Sequence, residues 1–85
     1  MRQAGLTLSD AFSRVVTKHR EASGLSRSAL ARLAGLHQTY VGLLERGERS
    51  PNLDTASAIA SALGKPLEEL IAQASKLQTS VRRRR

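Results

Sequence analysis

Ser26-Arg27-Ser28-Ala29-Leu30-Ala31-Arg32-Leu33-Ala34-Gly35-Leu36-His37-Gln38-Thr39-Tyr40-Val41-Gly42-Leu43-Leu44-Glu45-Arg46-Gly47 is the stretch that decides how this 85-residue chain folds. Its apolar spacing is helical on both sides of Gly35. Ser26 is a natural N-cap for a helix over about Arg27 to Ala34, with Leu30, Ala31 and Ala34 facing inward. Gly35 supplies the positive φ that a tight turn needs. A second helix follows from about Gln38 to Arg46, with Val41 and Leu44 pointing in, and Gly47 closes it. Two helices joined so tightly must cross closely. A small side chain at the crossing, Ala31, and branched aliphatics anchoring the second helix, Val41 and Leu44, answer that need.

Helical periodicity extends outward in both directions, and no alternating strand pattern appears beyond the brief Leu6-Thr7-Leu8. Upstream, a helix is expected from about Leu8 to Ala22, with Leu8, Phe12, Val15, Val16 and His19 on its inner face. Thr7 and Asp10 form a capping box with a shortened acid, and Gly24 ends the helix. Downstream, Asn52 caps a helix from about Leu53 to Leu63 that buries Leu53, Ala56, Ile59, Ala60 and Leu63, and Gly64 terminates it. Pro66 is expected at the first position of a fifth helix, where its missing N–H is harmless. Leu67, Leu70, Ile71 and Ala74 form that helix's inner stripe, and Leu77 could extend it. The expected fold is all-α: one compact five-helix domain over residues 8–77, a short arm over 1–7 and a basic, frayed tail over 78–85.

Composition agrees with a single thin core. Hydrophobic residues make up 40 % and charged residues 25 %, a globular balance. Phe12 and Tyr40 are the two aromatics, so the core must be aliphatic and alanine-rich. Cysteine is absent, which excludes disulfides, thiolate metal sites and cysteine nucleophiles. No apolar run approaches the roughly 18 residues of a membrane span. The first five residues lack the apolar stretch of a signal peptide, so a cytoplasmic, nucleoid-associated protein is expected. No Gly-rich phosphate loop and no paired carboxylates with a partner base are present, so neither catalysis nor a cofactor is expected. His19 and His37 have no companion at metal-ligand spacing, so no metal is expected.

Charge points to a polyanion. Fourteen basic residues against seven acidic give +7. Arg82 to Arg85 supply four of the seven, which leaves +3 for the rest of the chain. Two readings of that tail stay open, a solvated end and a DNA-contacting arm. The central pair of helices has the spacing of a helix-turn-helix, whose second helix presents its outer face to a groove of DNA.

The segment Leu25 to Leu36, then Tyr40-Val41-Gly42-Leu43-Leu44-Glu45-Arg46-Gly47, then Arg49-Ser50-Pro51, resembles the Xre, or lambda-repressor/Cro, class of bacterial and phage transcriptional regulators. The resemblance covers about residues 8–74. Glu45-Arg46-Gly47 with Pro51, at this distance from Ala31 and Gly35, is its most specific part. Three positions depart from the family pattern. Ala29 stands where a glutamate often completes a capping box, and His37 stands where the third helix often has a serine cap. Gly42 replaces a common serine. Glycine there costs on the order of 1 kcal/mol relative to alanine and could allow close approach to the DNA backbone.

The resemblance implies a set of contacts. Gln38, Thr39 and His37 would face base edges in the major groove. Glutamine can pair in bidentate fashion with adenine, and Thr39 and Leu43 suit thymine methyls. Ser26, Arg27, Tyr40, Arg46, Arg49 and Asn52 would contact the DNA backbone, helped by the positive ends of helices. Leu43 has a rival reading as an interface residue and Tyr40 as a core aromatic. Arg20 and Glu45 would form a half-buried structural ion pair. The implied function is sequence-specific binding of double-stranded DNA, as a homodimeric transcriptional regulator, in first place a repressor that occupies promoter DNA with activation left open, reading half-sites about one helical turn apart. Leu67, Leu70, Ile71 and Leu77 are candidates for the pairing surface. Two rival functions are an antitoxin that combines operator binding with neutralisation of a partner toxin, and a non-specific nucleic-acid binder driven by the arginine tail.

Overall fold

Three of the helices start at a side-chain cap. Thr7 Oγ1 accepts from the Asp10 N–H at 3.0 Å, and Asp10 Oδ2 accepts from the Thr7 N–H at 3.3 Å, a reciprocal capping box. Ser26 Oγ accepts from the Ala29 N–H at 3.0 Å, and Asn52 Oδ1 from the Thr55 N–H at 2.7 Å. His37 precedes its helix without a side-chain cap bond. The computed structural model describes residues 6–83 and, among them, five helices and no strand. These are α1 (Leu8–Ala22), α2 (Arg27–Ala34), α3 (Gln38–Glu45), α4 (Leu53–Ala62) and α5 (Leu67–Arg83).

The α2–α3 corner rests on Gly35, at φ 71°. This left-handed turn lets the Leu36 N–H reach back to the Ala31 carbonyl at 2.8 Å, so the chain reverses while its backbone groups stay paired. α1 packs most extensively on α5, and α2 packs on α3 and α4. Phe12, Val15 and Val16 of α1, Leu30 and Ala31 of α2, Val41 and Leu44 of α3, Ala56, Ile59, Ala60 and Leu63 around α4, and Leu70 and Ala74 of α5 meet in one buried cluster. Alanines at the crossings allow close helix approach, which is how a chain with one phenylalanine fills its centre.

Several expectations need correction. Leu53 is 77 % exposed and Leu8 is also exposed. Both lie at the first position of their helices, where the inward face has run past the packed neighbours. Arg46 and Leu63 are C-caps rather than the last helical residues. Pro66 sits just before α5 rather than inside it, and its carbonyl accepts from the Leu70 N–H at 3.4 Å. The expected break after Leu77 is absent, since α5 continues to Arg83. Leu77 packs against the core cluster and Gln78 Nε2 donates to the Leu6 carbonyl at 3.1 Å, so these turns are tied to the start of α1. Leu6 and Thr7 are thereby part of the fold rather than an arm. The first five residues of the expected arm and the last two of the arginine tail lie outside the described residues.

Candidate nucleic-acid interface

α3 is short and anchored on one side only. Val41 is 1 % exposed and Leu44 is wholly buried, so the helix is fixed in rotation by two aliphatics one turn apart. Gln38 and Thr39 at its start are exposed, as is His37 before it. Leu43 is half-buried rather than fully outward. Tyr40 is half-buried against the core, and the Arg49 guanidinium stands 5.8 Å from the centre of its ring. That cation–π contact joins two of the candidate backbone-binding residues.

Gly42 is buried, and the space above it belongs to Arg46. A Cβ at position 42 would stand 3.3 Å from Arg46 Nη1. The glycine thus accommodates a guanidinium of the same chain. Arg46 Nε donates to Glu48 Oε2 at 3.1 Å, with both side chains half exposed. Ser26 and Asn52 are occupied as caps, so each sits at a helix N-terminus, where backbone N–H groups and the helix dipole favour an anion.

Glu45 holds the far end of α3. Its side chain is 2 % exposed and that of Arg20 9 %, a more deeply buried pair than the half-buried one expected. Arg20 Nε donates to Oε2 at 2.7 Å and Arg20 Nη2 to Oε1 at 3.1 Å, while Nη1 caps the Leu25 carbonyl at 2.7 Å. Arg27 Nε adds a third bond to Oε1 at 2.9 Å. Burial on its own would push the Glu45 carboxyl up, but the bonds from Arg20 and Arg27 outweigh it and hold the carboxyl below its ordinary value. The bond to Glu45 likewise raises Arg20, against its own burial.

The tether from Arg27 to Glu45 was not legible in the sequence. The two residues are 18 positions apart and meet because Ser26 fixes the start of α2 while Gly35 folds α3 back beside it. Arg27 is thus tied to the end of α3 through Glu45, and Arg49 lies against Tyr40 near its start. Among the described residues no group of three or more His, Cys, Asp or Glu could hold a metal ion, and no helix is long and apolar enough to cross a membrane.

A helix-turn-helix family model matches residues 16–70 of the chain. The control protein C.SmaI of Serratia marcescens is 39 % identical over 56 residues, covering 66 % of this chain and 67 % of that protein. The control protein C.BamHI of Bacillus amyloliquefaciens is 39 % identical over 49 residues, covering 58 % and 60 % respectively. The crystal structure of the restriction-modification controller protein C.AhdI from Aeromonas hydrophila is similar at a TM-score of 0.70 and 39 % identity, over 73 % of this chain and 94 % of that one. The clp gene regulator ClgR of Corynebacterium glutamicum shares the fold, at a TM-score of 0.84 and 20 % identity over 89 % of this chain and 81 % of that one.

Proposed function

The chain belongs to the helix-turn-helix family, and from that premise we propose that it is a sequence-specific double-stranded DNA-binding regulator of transcription, of the kind that controls restriction-modification genes. One observation carries this reading: α3 is locked into the core by Val41 and Leu44 while Gln38 and Thr39 at its start stay exposed. A rod fixed in rotation presents the same side chains to every duplex, which sequence readout requires. Gln38 and Thr39, with His37 before them and the outer part of Leu43, read base edges. Ser26, Arg27, Tyr40, Arg46, Arg49 and Asn52 grip the backbone on either side and set the register. The role is regulatory rather than catalytic, as in the named control proteins, and a DNA partner sets its place in the bacterial cytoplasm.

Binding as a homodimer follows from the small footprint of one α3. The pairing surface we assign is the apolar groove between Leu8, Phe12, Pro51, Leu53, Ala56 and Ile71. Of the four candidates Leu67, Leu70, Ile71 and Leu77, Ile71 lines this groove, Leu67 and Leu77 are half-buried against the core, and Leu70 is wholly buried. Leu53 adjoins Asn52, so pairing there would bring two backbone-gripping loops to the dyad. The antitoxin reading gains nothing from the named relatives, which are control proteins and a gene regulator.

The decisive experiment is selection of bound duplexes from a randomised pool at moderate salt. The expected result is one enriched motif with two-fold symmetry. Enrichment of no motif would overturn the reading and favour the tail-driven, non-specific alternative.

A further inference from the structure

α1 and α5 leave a groove of about 380 Å³ lined by Arg14, Val15, Lys18, Gln73, Lys76 and Leu77. Three of its six lining residues are cations and none is an acid. Arg14, Lys18 and Lys76 have no ion-pair partner among the described residues, whereas Arg20, Arg27 and Arg46 each hold a carboxylate. The floor is apolar, made by Val15 and the half-buried Leu77. Gln73 is held in place, with its Oε1 2.8 Å from His19 Nε2 and its Nε2 donating to Glu69 Oε2 at 3.4 Å. The groove follows the α1–α5 packing, and at Arg14 it adjoins a second hollow lined by Asp10, Glu45, Arg46 and Gly47.

We propose that this α1–α5 groove is a docking site for an acidic helical segment of a partner protein, one that seats a large apolar side chain on Val15 and Leu77 between carboxylates paired with Arg14, Lys18 and Lys76. Charge complementarity selects the partner's sign. The i, i+4 spacing of Arg14 and Lys18 matches carboxylates one turn apart on a facing helix. The apolar floor favours a protein over a duplex, because DNA backbone offers nothing to bury there. Such a site lets a DNA-bound regulator touch a second protein without releasing its operator. The proposal does not depend on the DNA reading, since peptide binding is measured on the free protein.

The test uses the full chain and a synthetic helical peptide with a central leucine flanked by glutamates one turn apart, titrated by calorimetry. Binding is expected, weakened about tenfold or more by the pair Arg14→Glu and Lys18→Glu, and weakened likewise when the peptide's leucine becomes serine. Val15 is left intact so that the fold is not disturbed, and circular dichroism of the variant verifies this. The operator duplex, added to the peptide complex, should leave the peptide bound. Three results would overturn the proposal: no binding of the acidic peptide, equal binding of the serine peptide, or displacement of the peptide by the duplex. The last would make the groove part of the DNA footprint.

Discussion

Arg20 Nε lies 2.7 Å from Glu45 Oε2, an ion pair buried between the end of α1 and the end of α3. Among the described residues it is the one ion pair between α1 and α3. Arg20 satisfies both carboxylate oxygens and, through its remaining nitrogen, the Leu25 carbonyl at the α1–α2 turn. A single guanidinium thus fixes three segments whose relative placement aims α3.

Breaking this pair from one side should be severe. Arg20→Met strands a buried carboxylate and is expected to cost about 3–5 kcal/mol, read by urea unfolding. Arg27→Met removes only the half-exposed third donor and should cost no more than about 1 kcal/mol. Equal losses would show that the buried bond is not the dominant one.

The same carboxylate gives stability an acid limb. Its folded-state affinity for protons is depressed, so its contribution is fully present above the ordinary glutamate range. That contribution falls as pH drops through the lower folded value, where the carboxyl protonates and the guanidinium bonds weaken. Unfolding free energy measured from pH 7 downward should decline, and Glu45→Gln, if it folds, should show a shallower decline. The raised Arg20 contributes no further dependence below alkaline pH, because it stays charged throughout.

Gln38→Ala should weaken the selected operator by roughly 1–3 kcal/mol and leave random duplex nearly unchanged, as measured by fluorescence anisotropy. Equal weakening on both would remove Gln38 from base readout.

Arg46 is held back by Glu48, so two changes should act in opposite directions. Arg46→Ala should weaken specific and random DNA alike and reduce the salt slope by about one unit. Glu48→Gln should tighten both by releasing the guanidinium and removing a negative charge from the face. An unchanged slope in the first variant would exclude a phosphate contact by Arg46.

Leu53→Lys should turn a dimer into a monomer in sedimentation while shifting unfolding free energy by no more than about 0.5 kcal/mol, because the side chain is 77 % exposed in the single chain. A dimer that survives this change would place the pairing surface elsewhere.

Local signals along the chain specify the helices and their order. Caps at Thr7, Ser26 and Asn52, the left-handed Gly35 and the aliphatic periodicity are local signals, each complete within a few residues, and α1 and α2 have the expected bounds. The Arg20–Glu45 pair was accessible through family resemblance. Packing between distant segments sets how deeply that pair is buried, brings Arg27 to it, lays Arg46 over Gly42 and leaves Leu53 uncovered. It also decides that α5 runs on past Leu77, because Gln78 finds its partner at Leu6, 72 positions away in the chain. Helical periodicity tells which side of a helix is apolar, but only packing between distant segments determines where that side runs out of neighbours and which charges meet.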